Sequence, residues 1–329
     1  MEANIRSKLF YKIKKQSALT SIAAFAVLFV LLAISANNFL TTGNWTNIIK
    51  QTAVVGCTAV GMTFVIITSG IDLSVGSIQA MCCVLCADVL SSYGTDVNSF
   101  GAIFLAVMVS VFAGIVMGAI NGVLVAWVKI PAFIATLGMS GVAKGAALLY
   151  TNGGSISIRE ATFFRRISDG KFLGFPIPGL IMIALFVIGW VVLNKTRLGY
   201  YTFAVGGNEE ASRLSGINTN VVKLMAYVIG GLCTGIASVI LVGRLGAGQP
   251  IAGDGLEMDA IAAVVIGGTS LAGGKGSLFG TLVGAFVSVL IRNGLNLLNI
   301  NAYWQQIAVG VAIVLAVTID TSLSRRRRL

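Results

Sequence analysis

Ten apolar stretches of fifteen or more residues follow one another along this chain. They lie at roughly 18–36, 48–69, 74–92, 101–128, 131–150, 176–194, 222–243, 258–272, 277–298 and 303–320 of 329 residues. A helix needs about 20 apolar residues to cross a hydrocarbon core of about 30 Å. The chain is 56% hydrophobic and 11% charged, where an average soluble domain carries about 25% charged residues. A water-soluble fold of this length has too little interior to hide that apolar surface, so its solvent is lipid. A membrane barrel would alternate over roughly 10-residue segments, and these runs do not. The expected fold is all-α: a polytopic membrane protein of about ten transmembrane helices. Residues 1–329 then form a single transmembrane domain.

Ten crossings put both termini on one side. With that side cytoplasmic, the inside segments hold fifteen basic residues: Arg6, Lys8, Lys12, Lys14, Lys15, Lys129, Lys195, Arg197, Arg213, Lys223, Lys275 and Arg325–Arg328. The outside segments hold seven: Lys50, Arg159, Arg165, Arg166, Lys171, Arg244 and Arg292. Positive residues favour the cytoplasmic side, so both termini are expected inside. The cytoplasmic parts are then a basic N-terminus at 1–17, a loop at 195–221 and a basic tail at 321–329. The formal charge of +11 is thereby explained by topology, without nucleic acid. The basic start and first apolar run resemble a secretory signal. The run is too long for that, and it reads as an uncleaved first helix.

Several chemistries are poorly served. The chain has no histidine, which leaves no ordinary Ser-His-Asp or Cys-His centre. Cys57, Cys82, Cys83, Cys86 and Cys233 all sit in apolar runs and read as small apolar fillers rather than metal ligands. Gly273-Gly274-Lys275-Gly276-Ser277 only superficially resembles a phosphate loop. The P-loop pattern needs Gly where Thr269 stands and Ser or Thr where Gly276 stands. No metal or other cofactor is expected in this chain. If ATP drives it, ATP and magnesium belong to a partner subunit. Glycines at 267, 268, 273, 274 and 276 interrupt the stretches at 258–272 and 277–298, so one of these is short, broken or re-entrant. Thr68–Ser77 and Thr269–Ser277 echo each other, which fits an internal repeat or a coincidence of Gly/Ser-rich segments.

Within the inside loop, Asn208-Glu209-Glu210-Ala211-Ser212-Arg213-Leu214-Ser215-Gly216 predicts a short surface helix. Asn208 is a good N-cap, the two glutamates suit the positive helix end, and Gly216 suits the stop. Two turns are marginal alone, so this is either a lever docking onto a cytoplasmic subunit or an ordinary capped loop. Asp72 reads as a cap for the next helix at the cytoplasmic surface. Asp254, Glu257 and Asp259 flank the eighth stretch on the outer side, either to meet a cationic substrate or a soluble partner or simply as a solvated helix start. Neutral polar groups within spans are pathway candidates: Thr63, Gln79, Asn121, Thr136, Asn293 and Asn296. Amides and hydroxyls suit a neutral polyhydroxyl solute, although many such groups bridge helices instead. A proton- or sodium-coupled carrier is the alternative; Asp72 and Asp88 are its plausible acids in the first half. A purely structural membrane protein is a third reading.

Four segments carry a family resemblance: Thr68–Ser77 (TSGIDLSVGS), Pro131–Leu137 with Tyr150–Gly153 (PAFIATL and YTNG), Gly206–Asn218 (GGNEEASRLSGIN) and Leu256–Gly276 (LEMDAIAAVVIGGTSLAGGKG). Over about residues 38–320 the chain resembles permease subunits of bacterial ABC importers for ribose and related simple sugars. That resemblance implies a permease homodimer in the inner membrane, a cytoplasmic ATP-binding subunit and a periplasmic sugar-binding protein. It also implies that Glu209–Gly216 forms part of the element coupled to the ATPase. The general importer pattern there is E-A-A-x-x-x-G. This chain has Glu210 at the second place and one extra residue before Gly216.

Overall fold

The computed structural model describes residues 21–326. The basic segment expected at 1–17, and Arg327 and Arg328 of the basic tail, lie outside the described residues. Among the described residues, seven helices are long and apolar enough to cross a membrane: α2 (Thr42–Ile67), α3 (Val75–Ser92), α4 (Phe100–Ala126), α5 (Ala132–Thr151), α7 (Ile177–Lys195), α10 (Thr219–Leu245) and α12 (Leu278–Leu297). They match seven of the expected stretches to within a few residues. The first, eighth and tenth stretches are occupied by α1 (Ser21–Ser35), α11 (Leu256–Ile266) and α13 (Ala302–Arg326). Strand structure among the described residues is confined to two antiparallel pairs of dipeptides. β1 (Ile156–Ser157) joins β4 (Ala247–Gly248), and β2 (Lys171–Phe172) joins β3 (Phe175–Pro176). Both pairs lie at one end of the bundle with α6 (Thr162–Asp169). The opposite end carries α8 (Arg197–Gly207) and α9 (Glu209–Leu214).

The centre of the bundle is α2 and α10. Of their apolar windows 83% and 72% are buried, against 22% for α4 and 28% for α5. α4 and α5 therefore present most of their surface outward, to lipid or to another chain. α4 and α10 meet backbone to backbone. A Cβ on Gly114 would stand 2.3 Å from the Gly231 carbonyl oxygen, and one on Gly231 would stand 2.0 Å from that of Gly114. Small residues four apart allow such contact in membranes, where dispersion replaces the hydrophobic drive.

The eighth stretch departs most from expectation. Its helix has only 11 residues, about half the length needed to cross. The other half is non-helical backbone running inward along α3. Gly248 lies against Cys83, Val84 and Ala87, while Gly253 lies against Gly76. Irregular backbone survives at this depth because protein covers it. The three acids are accordingly not a uniformly solvated helix start: Asp254 is exposed, Glu257 half-buried and Asp259 buried. Asp259 is buried and accepts hydrogen bonds from Nε and Nη2 of Arg292 on α12 at 3.0 and 2.7 Å. Asp254 pairs with Lys144 of α5, and the Glu257 carboxylate faces Gly76. These partners lie 33 to 181 positions away in sequence, beyond the reach of any local pattern.

Asp72 also differs in part. It does serve the start of α3, since it accepts hydrogen bonds from the Ser74 amide and hydroxyl, but it is buried rather than at the surface. The five cysteines are buried and free.

Candidate functional site

The capped segment at Asn208–Gly216 is the helix α9. Asn208 Oδ1 accepts from the Ala211 amide at 2.9 Å, and Glu209 and Glu210 occupy the first turn. At the other end the Gly216 amide donates to the Arg213 carbonyl and the Ile217 amide to that of Ser212. With Gly216 at φ +85°, this is the two-bond glycine stop that satisfies the last carbonyls.

One face of α9 is anchored and the other is free. Ser212 is buried, and Glu209 Oε2 accepts from Lys223 Nζ of α10 at 2.6 Å. Facing out are Glu210, Ala211, Arg213, Leu214 and Ser215. Glu210 and Arg213 pair at 2.7 Å, and the guanidinium holds the Glu210 carboxyl below its ordinary pKa. Leu214 is 78% exposed.

The helix before it, α8, was not expected from sequence. It ends at Gly206-Gly207, wedged where two membrane helices break. A Cβ on Gly206 would stand 1.6 Å from the Ile67 carbonyl oxygen at the end of α2. That same oxygen accepts from the Gly274 amide at 2.9 Å. The Ser69 hydroxyl faces the carbonyls of Gly206 and Ala272 at 3.2 and 3.0 Å. Three breaks therefore meet: Ile67–Ser69, Gly206–Asn208 and Ala272–Gly274. The two segments that echo each other in sequence touch here. A cavity of about 250 Å³ lies beside α9, bounded by Thr68–Gly70, Lys129–Ala132, Glu209, Lys223 and Tyr227.

The six pathway candidates fall into separate places. Gln79, Asn121 and Thr136 surround the start of α3. The Gln79 carbonyl oxygen Oε1 accepts from Thr58, Asn121 Nδ2 donates to Ser74 Oγ at 2.8 Å, and the Thr136 hydroxyl faces the Ile71 carbonyl. Gln79 Nε2 and Asn121 Oδ1 have no protein partner although both residues are fully buried. Thr63 joins α2 to α12 through Thr281 at 2.9 Å. Asn293 exchanges amide hydrogen bonds with Asn44 at 2.8 and 3.2 Å, toward the other end of the bundle. Asn296 is exposed, one turn further along α12.

Seven long apolar helices and one broken span among the described residues make this a multi-pass membrane protein. The chain belongs to the family described as the permease component of branched-chain amino acid transport systems, which matches residues 44–317. It is 46% identical over 303 residues to the ribose import permease protein of Escherichia coli (strain K12), covering 91% of this chain and 92% of that protein. The ribose import permease protein of Bacillus subtilis (strain 168) is 43% identical over 299 residues, 91% of each chain. The xylose transport system permease protein of Escherichia coli (strain K12) is 34% identical over 364 residues, 92% of this chain and 91% of that one. No solved structure matches the chain.

Proposed function

We propose that this chain is the membrane-spanning permease subunit of an ABC importer that carries a neutral simple sugar, ribose first, into a bacterial cytoplasm across the inner membrane. ATP and magnesium act in a separate cytoplasmic ATP-binding subunit that docks on Asn208–Gly216, and no cofactor is held here. A periplasmic sugar-binding protein delivers the solute, and a second permease copy completes the pathway. One observation carries the reading. The exposed face of α9 connects, through Gly206, by backbone contact to the ends of α2 and of the loop before α12. Force applied at α9 thus has a short rigid route to both breaks, and the cavity beside α9 leaves room for it to shift. The relatives' sugars favour a polyol over an amino acid. The six candidates, Thr63, Gln79, Asn121, Thr136, Asn293 and Asn296, are neutral donors and acceptors of the kind a polyol's hydroxyls pair with.

The test is reconstitution in liposomes with the ATP-binding subunit and the binding protein. Ribose uptake is expected to need ATP and both partners. Uptake without them, or leucine carried in preference to ribose, would refute the proposal. A second expectation concerns docking. Leu214→Asp should cut co-purification of the ATP-binding subunit about tenfold or more, because buried apolar anchors dominate small interfaces. Thermal stability of the permease alone should not change, since Leu214 is solvent-facing. Full co-purification with the variant would move the docking site elsewhere.

A further inference from the structure

Lys144 and Asp254 form an ion pair in the depth of the bundle. Lys144 is the thirteenth of the 20 residues of α5, about 18 Å along the helix from its first residue and about 10 Å from its last. Its Nζ donates to both carboxylate oxygens of Asp254, at 2.7 and 2.9 Å. Asp254 sits at similar depth. Its neighbour Gly253 lies against Gly76, and the next residue, Ser77, bonds Ser140 of α5 at 2.8 Å. Both ends of α5 lie beyond the reach of a lysine side chain held this way.

The pair is nonetheless open. The two side chains are 40% and 49% exposed. Charges at such depth are strongly unfavourable against acyl chains and sit where protein or water meets them. Gly141 and Gly145 of α5, about 60° and 100° around the helix from Lys144, have nothing near the space a side chain would fill. Val142, 66% exposed, lies about 160° around the helix from Lys144.

We propose that Lys144 and Asp254 line the water-filled passage and hydrogen-bond the hydroxyls of the solute as it crosses. An ammonium donates and a carboxylate accepts, so together they match two adjacent hydroxyls of a neutral sugar. The pair deepens the permease reading and rests on it, but its exposure to water is testable without transport.

The experiment uses the full complex in liposomes, carrying Lys144→Cys, Asp254→Cys or Val142→Cys. All five native cysteines are buried, so background reaction with a membrane-impermeant thiol reagent is low. Lys144→Cys and Asp254→Cys are expected to react roughly tenfold faster than Val142→Cys, as water-exposed thiols do. Equally slow reaction at all three sites would overturn the proposal, by showing that lipid or a second copy covers the pair. The solute contact is read from coupling. Asp254→Ala should raise the ATP hydrolysed per sugar moved by about fivefold, and Asp254→Asn, which keeps an acceptor, should recover part of it. An unchanged ratio in Asp254→Ala would overturn the contact. A wild-type complex that moved no sugar would instead refute the permease reading, while fast labelling of Lys144→Cys would still place that residue in water.

Discussion

Gly206→Ala is expected to reduce ATP-driven uptake by roughly tenfold or more, while Gly207→Ala stays within about twofold of the native rate. The two glycines are neighbours in α8 with opposite surroundings. A Cβ on Gly206 meets the Ile67 carbonyl oxygen at 1.6 Å and the Gly274 amide at 2.7 Å, whereas one on Gly207 meets nothing within 4 Å. Both obstacles are backbone, and they are bonded to each other at 2.9 Å, so neither yields as a flexible side chain would. Overpacking of this kind costs about 1–3 kcal/mol or more when the surroundings must move. A shift of 1.4 kcal/mol in a coupled step already changes a rate about tenfold. The loss should appear in uptake and not in recruitment of the ATP-binding subunit, because the face formed by Glu210, Arg213 and Leu214 is untouched. Near-native uptake by Gly206→Ala would show that α8 does not link α9 to the two breaks.

The same contact shows where sequence reasoning stops. Apolar run length located the seven long helices because crossing a membrane needs one contiguous stretch and no partner. The ends of α9 were legible for a similar reason: Asn208, Glu209, Glu210 and Gly216 act on backbone groups within a few residues. By contrast, nothing local marked α8, or told that Gly206 would press on Ile67, 139 residues earlier. Glycine content at 267–276 announced a break, but the non-helical half of that span lies earlier, at 246–255. There Gly248 and Gly253 let the backbone lie on α3. The polar candidates show the limit for function. Thr63 and Asn293 found helix partners, while Gln79 and Asn121 kept atoms unpaired in the interior, and residue type alone could not separate the two.

Asp259→Ala is expected to destabilise the folded permease by on the order of 3 kcal/mol, the size seen when one partner of a buried pair is removed. Asp259 is buried while Arg292 keeps 30% exposure, so the guanidinium left behind loses the carboxylate it pairs with at a junction of α11 and α12. The carboxylate has a second role. α11 begins at Gly255 with φ +84° and no side-chain cap, so Glu257 and Asp259 supply the negative charge at a helix start inside the bundle. Two contributions are thus separable. In Asp259→Leu with Arg292→Met, the stranded cation is gone and apolar packing replaces it, which is often neutral for buried pairs. What persists should be only the helix-end term, about 0.3–1 kcal/mol. Unfolding measured on both variants decides the matter. If the double substitution is as unstable as Asp259→Ala, the ion pair itself, and not the avoidance of an unpaired charge, holds the short helix in place. If Asp259→Ala costs less than about 0.5 kcal/mol, water reaches Arg292 freely and the outer half of α12 faces the passage rather than protein.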